Sequence, residues 1–292
     1  MSAPWPVLLA PEALHAQVGT PGLVVVDCRY ALSDPAAGER AYAQGHVPGA
    51  HYAHLHRDLS GPHRPGGGRH PWPDAEAFAR RLADWGVEAT SRVVAYDGGD
   101  GGFAARLWYL LRAAGHREVA VLDGGWAAWR GLGLPVSTDA PAPGRVPIRP
   151  LSWRMPPLDA ADVRAHLDTG GLLIDARAPE RFRGEVEPLD PVAGHVPGAV
   201  NRPHAANLTD DGRFKPAAAL RREFEALLDG RDPERVATMC GSGVYACHHL
   251  LAMAHAGLDG ARLYAGSWSG WIEDPTRPVA VGDEAGTTGL SR

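Results

Sequence analysis

Short apolar runs alternate with amphipathic segments along the whole chain. The runs within Val24–Arg29 (VVVDCR) and Leu172–Arg177 (LLIDAR) are continuous and rich in branched residues, which is typical of parallel strands that are buried on both faces. Apolar residues with helical spacing occur in Ala75–Trp85, Ala104–Ala114, Ala217–Leu228 and Cys247–Ala256. This alternation predicts an α/β fold in which helices flank a mainly parallel sheet.

The two halves of the chain repeat each other. The hexapeptide GHVPGA occurs at Gly45–Ala50 and again at Gly194–Ala199. The similarity extends to longer segments, because Arg92–Gly115 resembles Arg235–Gly257 and the segment LDGGWAAW resembles YAGSWSGW. We therefore predict a tandem duplication of one domain.

A proline-rich stretch separates the two copies. Residues 137–157 read STDAPAPGRVPIRPLSWRMPP, which is unsuited to a helix or a central strand. We place one domain at residues 1–137, a semi-rigid linker at 138–155 and a second domain at 156–292. A length of 292 residues is in keeping with two domains.

Composition narrows the range of partners. Apolar residues make up 45% and charged residues 22% of the chain, as in soluble globular proteins. The net charge of −5 offers no basic surface for nucleic acid or for an anionic membrane. We also find no signal peptide and no apolar run of membrane-spanning length. Three cysteines, an odd number in a chain of this length, argue against a disulfide framework and for a reducing compartment, so we expect a cytoplasmic protein.

Cys240 is the candidate nucleophile. It follows a strand-like run and opens a glycine-rich turn, Gly241–Gly243, which leads into a helical segment. Backbone N–H groups and the helix dipole stabilise a thiolate at such a position. The alternative is a buried structural cysteine, as is usual for single cysteines. The first half carries Asp97 at the equivalent position, so at most one half can use thiol chemistry.

These features together resemble the two-domain rhodanese-type sulfurtransferases. The resemblance rests on the paired halves, the doubled GHVPGA, the CGSGV loop and the YAGSWSGW segment. It implies an inactive first domain and a catalytic second domain. It also implies that Cys240 accepts sulfur from a small-molecule donor as a persulfide and passes it to cyanide or a thiol, with a thioredoxin-like protein among the candidate acceptors. No metal or organic cofactor is implied.

Two features of the resemblance bear on the donor. Loops like CGSGV accompany 3-mercaptopyruvate in this family, whereas loops with Arg-Lys after the cysteine accompany thiosulfate. Arg181 matches the family arginine that holds the donor carboxylate. The second family arginine is replaced by Leu189, and Arg183 or Arg202 could substitute for it. We expect 3-mercaptopyruvate as donor, with thiosulfate as the alternative.

The remaining candidate residues surround the nucleophile. We expect the backbone of Gly241, Gly243, Val244, Tyr245 and Ala246 to cradle the persulfide. Ser242, His70 and Asp58 match a family relay that protonates the departing enolate. The alternative is that Ser242 donates to the persulfide and His70 only packs.

Two other functions compete with this interpretation. A cysteine phosphatase requires an arginine at the position of Ala246, so the sequence argues against that activity. A non-catalytic carrier of persulfide sulfur remains the second alternative. His51, His54 and His56 lack the further ligands of a metal site, and we interpret them as solvated loop residues.

Overall fold

The computed structural model describes residues 5–142, 144 and 146–283. Residues 143 and 145 of the predicted linker lie outside the described residues. Both chain ends also lie outside them, and these ends include part of each predicted domain and part of the segment that was searched for a signal peptide. The described residues contain no helix that is both long and apolar enough to cross a membrane.

The chain forms two compact units. The first comprises Met1–Gly61, Pro73–Pro156 and Thr209–Phe214. The second comprises Pro62–Trp72, Pro157–Leu208 and Lys215–Arg292. Each unit thus includes a short segment from the other half of the sequence. The predicted domain boundary at the linker does not account for these two segments.

The first unit has a parallel sheet. Its strands are β1 (Leu8–Leu9), β2 (Leu23–Asp27), β3 (His51–Tyr52), β4 (Arg92–Tyr96) and β5 (Val119–Leu122), in the order β1-β5-β4-β2-β3. Its helices are α1 (Pro11–His15), α2 (Ala37–Gln44), α3 (Leu55–Asp58), α4 (Ala75–Asp84), α5 (Gly102–Ala113) and α6 (Gly125–Gly131).

The second unit repeats this architecture. Its strands are β6 (Leu172–Asp175), β7 (Ala199–Asn201), β8 (Val236–Met239) and β9 (Arg262–Leu263), all parallel, in the order β7-β6-β8-β9. Its helices are α7 (Ala160–Asp168), α8 (Pro179–Phe182), α9 (Ala217–Leu228), α10 (Ala246–His255) and α11 (Ser267–Trp271), with 3₁₀ turns at His204–Asn207 and Pro233–Arg235.

The fold class predicted from the apolar pattern is confirmed. The four predicted helices correspond to α4, α5, α9 and α10, and α9 has the predicted bounds. The central strands β4 and β8 are almost entirely buried because helices cover both faces of each sheet.

An ion pair at the end of a central strand occurs in both units. In the second unit, Asp175 accepts hydrogen bonds from the backbone and guanidinium of Arg177, whose Nη2 also donates to the carbonyl of Gly194 at 2.8 Å. In the first unit, Asp27 and Arg29 make the same contacts, and Nη2 reaches the carbonyl of Gly45. The repeated GHVPGA motif is thus fixed to the strand end by a buried arginine.

The repeated tryptophans serve packing. Trp129 and Trp271 are fully buried, and their indole N–H groups donate to Pro135 and Pro278 carbonyls at 2.8 and 3.0 Å. Because a buried indole N–H needs an acceptor, these bonds fix both rings in place.

Candidate active site

Cys240 lies at the carboxyl end of β8, in the loop that leads into α10. Its side chain is buried, with 4% of the residue exposed. Its backbone N–H donates to Ser267 Oγ at 3.1 Å, and its carbonyl accepts from the N–H of Trp268 at 3.0 Å. Helix α11 therefore holds the backbone of Cys240 from both sides.

The rest of the loop is fitted equally closely. The carbonyl of Gly241 accepts from the N–H of Ser269 at 2.9 Å. Gly243 adopts a left-handed conformation, with φ of 75°, and a Cβ atom there would lie 2.3 Å from the carbonyl oxygen of Ala265. Only glycine satisfies both conditions, since another L-residue would be strained and would collide with backbone. The loop ends where α10 begins, at Ala246.

Ser242 and His70 meet beside the cysteine. The serine Oγ lies 2.7 Å from Nδ1 of His70, and both residues are buried, with 6% and 2% exposed. His70 belongs to the segment Pro62–Trp72, which is part of the second unit although it comes from the first half of the sequence. A hydroxyl and an imidazole at this distance can share a proton.

Asp58, the third predicted member of the relay, lies in the first unit. Its carboxylate accepts from the backbone N–H of His54 at 2.7 Å and pairs with Nε of Arg81 at 2.9 Å. Burial raises the pKa of Asp58. Its participation in the relay stays a prediction.

The expectation that His54 is a solvated loop residue is wrong. His54 is buried, and its Nδ1 accepts a hydrogen bond from the N–H of His56 at the start of α3.

Two arginines face the loop at Gly241. A Cβ atom added to Gly241 would lie 3.0 Å from Nη2 of Arg69 and 3.5 Å from Nη2 of Arg181. Arg181 is the arginine that the sequence predicts at this site. The sequence analysis did not identify Arg69, because Arg69 lies far from the loop in the sequence. The available signal was its position directly before His70.

Buried carboxylates balance these cations. Glu187 accepts from Arg181 Nη2 at 2.6 Å and from Arg177 at 3.4 Å. Asp190 pairs with both Arg69 and Arg181. Burial raises the pKa of Asp190, and the neighbouring arginines oppose that shift. This side of the loop is thus lined by a network of alternating charges.

The two arginines suggested as substitutes for the second family arginine each pair with a glutamate. Arg183 pairs with Glu185 at 2.8 Å, and the side chain of Glu185 is exposed to solvent. Arg202 pairs with Glu223 at 2.9 Å and stacks on Phe224. Neither contributes any of the three atoms nearest to a Cβ position on Gly241, and the suggestion that one of them substitutes for the missing arginine stays a prediction.

Three further predicted residues have defined surroundings. Val244 is buried, and the ring of Tyr245 lies 4.4 Å from the ring of His204. Cys247 is fully buried, and its thiol donates to the carbonyl of Gly243 at 3.4 Å, so it packs against the loop. Among the described residues, no group of three or more His, Cys, Asp or Glu side chains is placed to hold a metal ion.

The equivalent loop of the first unit contains its own anion. The carboxylate of Asp97 is fully buried and accepts four backbone hydrogen bonds from the loop and the start of α5. The donors, at 2.9 to 3.1 Å, are Gly99, Gly101, Phe103 and Ala104. Burial raises the pKa of Asp97 to about 6, and these N–H donors oppose the shift. The carboxyl group of Asp97 is thus the common acceptor for the N–H groups of this loop.

Comparison with known proteins identifies the family. The family described as Rhodanese-like domain matches residues 10–132 and 159–274. The chain belongs to the rhodanese-like family. The two matched ranges agree with a duplicated domain, and the prediction of a two-domain rhodanese-type protein is confirmed.

Relatives of this rhodanese-like chain carry related names. It is 51% identical over 284 residues to a probable 3-mercaptopyruvate sulfurtransferase of Pseudomonas aeruginosa, covering 94% of this chain and 98% of that one. It is 41% identical over 271 residues to a putative thiosulfate sulfurtransferase, SseB, of Mycobacterium tuberculosis, covering 91% and 93%. The structure of the 3-mercaptopyruvate sulfurtransferase SseA from Escherichia coli is similar, with a TM-score of 0.73, 30% identity and coverage of 90% and 99%. The prediction that this rhodanese-like chain is a sulfurtransferase enzyme is confirmed.

Proposed function

We propose that this enzyme transfers sulfur from 3-mercaptopyruvate to a thiol or to cyanide, through a persulfide on Cys240. The observation that carries the proposal is the 2.7 Å contact between His70 and Ser242, which lies two residues after Cys240 in the same loop. A donor whose leaving group is an enolate needs a proton source at that place, whereas the sulfite that leaves thiosulfate does not.

The first half-reaction forms the persulfide. The Cys240 thiolate attacks the donor sulfur, a sulfur–sulfur bond forms, and the carbon–sulfur bond of the donor breaks. Its electron pair remains on carbon as the enolate of pyruvate, which takes up one proton. Ser242 and His70 supply this proton from solvent.

The second half-reaction returns the enzyme to its starting state. Cyanide or a thiolate attacks the outer sulfur, the sulfur–sulfur bond breaks, and the electron pair returns to Cys240 as thiolate. Between the two steps, backbone N–H groups of the loop from Gly241 to Ala246 hold the charged persulfide. The four N–H donors that surround Asp97 in the first unit support this role for the loop.

Thiosulfate is the second candidate donor. The guanidinium groups of Arg69 and Arg181 beside Gly241 would suit a dianion, and this observation favours it. The relative named for thiosulfate also supports it. A thioredoxin-like protein is the proposed acceptor among thiols. The three free cysteines support a cytoplasmic location, where thiols stay reduced.

Two measurements test the proposal. Mass spectrometry after exposure to 3-mercaptopyruvate should show one added sulfur on Cys240, and Cys240→Ser should lose both the adduct and turnover. Cys28→Ala is the control, because Cys28 is buried in the first unit. Comparison of kcat/KM for the two donors, with cyanide as acceptor, should favour 3-mercaptopyruvate. A clear preference for thiosulfate would reverse the assignment of the donor.

A further inference from the structure

Arg69 has no predicted role, yet its surroundings fix it firmly at the active site. Its backbone N–H donates to Ser269 Oγ at 3.1 Å, in the helix that also holds Cys240. The preceding Gly68 donates to Glu273 at 3.1 Å and has a φ of 69°. A Cβ atom on Gly68 would lie 2.4 Å from the carbonyl oxygen of Gly266, so the segment lies directly against this helix.

The guanidinium of Arg69 reaches the same point as that of Arg181. Nη2 of Arg69 would lie 3.0 Å from a Cβ atom on Gly241, closer than either terminal nitrogen of Arg181. Gly241 directly follows the nucleophile, so both cations stand next to the position of the donor. The side chain of Arg69 is 31% exposed and that of Arg181 17% exposed, so Arg69 presents the larger accessible surface.

Asp190 joins the two guanidinium groups. One of its carboxylate oxygens pairs with Nη1 of Arg69, and the other lies 3.4 Å from Nη2 of Arg181. The Asp190 side chain is only 3% exposed. Two guanidinium groups around one carboxylate would also suit the carboxylate of a 2-oxo acid, because guanidinium groups form strong charge-assisted hydrogen bonds with carboxylates.

A cavity borders Arg69 and Asp190 and offers space for an anion next to Arg69. Its volume is about 300 Å³, and it is lined in part by Arg69, Leu189 and Asp190. The space is sufficient for a three-carbon acid. Leu189 stands where the family has its second arginine, and Arg69 provides a cation on the same cavity wall.

We propose that Arg69 and Arg181 together form the carboxylate clamp for the donor, and that Asp190 is an internal carboxylate that competes with the donor for this clamp. Arg69 is then a residue that determines donor specificity, and it replaces the missing family arginine from a different part of the sequence. This inference rests on the proposed function.

Steady-state kinetics of four variants test the clamp. Arg69→Gln should raise KM for 3-mercaptopyruvate about tenfold, the effect of losing one charged hydrogen-bonding partner, with kcat largely retained. Arg69→Lys keeps the charge without the planar fork, so it should recover part of the loss. Asp190→Asn should lower KM, because the internal competitor loses its charge. Arg183→Gln is the matched control and should leave KM unchanged, since Arg183 pairs with Glu185.

A second measurement separates binding from structural damage. Pyruvate, which carries the same carboxylate but no sulfur, should inhibit the Arg69→Gln enzyme about tenfold more weakly than wild type, and the Asp190→Asn enzyme more strongly. In the double variant, the gain from Asp190→Asn should shrink, because half of the clamp is missing.

The outcomes distinguish the two proposals. If Arg69→Gln leaves both KM and pyruvate inhibition unchanged while Arg181→Ala raises KM, the clamp assignment is wrong and the proposed function stands. An Asp190→Asn enzyme with weaker pyruvate inhibition would equally overturn the competitor role. If wild-type enzyme forms no persulfide from 3-mercaptopyruvate, the proposed function itself fails.

Discussion

At the scale of single residues, the two copies of the loop begin with different reactive groups, a carboxyl group in one unit and a thiol in the other. Cys240 and Asp97 stand at equivalent strand ends, each before a helix. Asp97 places a carboxylate among four N–H donors, whereas Cys240 provides a thiol that can gain a sulfur atom. Equivalent loops therefore hold a carboxyl group in one unit and, on the proposed mechanism, a persulfide in the other.

Replacing Arg181 tests how the carboxylate is recognised. We expect Arg181→Ala to raise KM for 3-mercaptopyruvate by about tenfold or more, because a charged hydrogen-bond partner is lost. KM for thiosulfate should change much less, since that donor has no carboxylate. Cyanide-coupled kinetics with both donors measure this. Equal changes for the two donors would mean that Arg181 does not recognise the carboxylate.

Replacing Asp97 tests the charge inside the first unit. The pKa of Asp97 is about 6 in the fold and 3.8 in an exposed carboxyl, so the folded state binds this proton more tightly. The contribution of Asp97 to stability is therefore greatest at low pH and declines as the pH rises from about 4 to 6. Asn at this position cannot titrate and leaves part of the N–H donors without an acceptor.

We expect Asp97→Asn to lower the free energy of unfolding, and the deficit should be larger at pH 4 than at pH 7. Urea unfolding at the two pH values measures it. Asp100→Asn, next to the same loop, provides a comparison for the removal of a nearby charge. A deficit that does not change with pH would argue against the raised pKa of Asp97.

Several residues of the site could be predicted from the sequence because their signals are local. Cys240, Ser242 and Gly243 form a short motif between a strand and a helix. For Arg69 the one signal was its position directly before His70, and the contact of Arg69 with Asp190 could not be predicted, because it joins segments more than 100 residues apart. No periodicity or spacing in a single sequence records such a contact.

At the scale of elements, the catalytic loop depends on α11 as much as on its own strand and helix. Ser267 accepts from the Cys240 N–H and donates to the carbonyl of Tyr264 at 2.9 Å. The sequence predicted the strand and helix around Cys240, because burial and periodicity mark them. It did not predict the support from α11, a five-residue helix without a periodic pattern.

The fit of the loop against its neighbours can be tested at Gly243. We expect Gly243→Ala to lower the free energy of unfolding by more than the ~1–2 kcal/mol for a left-handed non-glycine residue, because its Cβ would also meet the Ala265 carbonyl. Turnover should fall as well, since the loop must move. Gly170→Ala is the matched control, with φ of 79° and open space around its Cβ position. Similar losses in both variants would show that the contact with Ala265 is unimportant.

At the scale of the whole molecule, the most informative feature is the origin of the segment Pro62–Trp72. The sequence assigns it to the first domain, yet it is part of the second compact unit. Glu273 holds it there by accepting from the N–H groups of Gly66 and Gly68 at 2.6 and 3.1 Å. The duplication could be predicted from the repeated motifs. The packing of Pro62–Trp72 in the second unit could not, because a sequence repeat indicates which segments correspond and not which segments pack together.

Releasing that segment should affect catalysis from a distance. We expect Glu273→Ala to lower kcat/KM for 3-mercaptopyruvate at least several-fold, because the segment carries both His70 and Arg69. The thiol of Cys240 should still react with a small alkylating reagent. Glu185→Ala, a surface glutamate paired with Arg183, is the control. Full activity in the Glu273→Ala enzyme would show that the segment keeps its place without this anchor.

The carboxylate of Asp97 also sets the sulfur capacity of the protein. Since a carboxylate cannot form a persulfide, the loop of the first unit cannot be loaded with sulfur, and the proposed mechanism loads the second unit at Cys240 alone. The proposed load is therefore one sulfur atom per chain. A single round of discharge into cyanide would thus yield one thiocyanate per chain and count the enzyme molecules in solution.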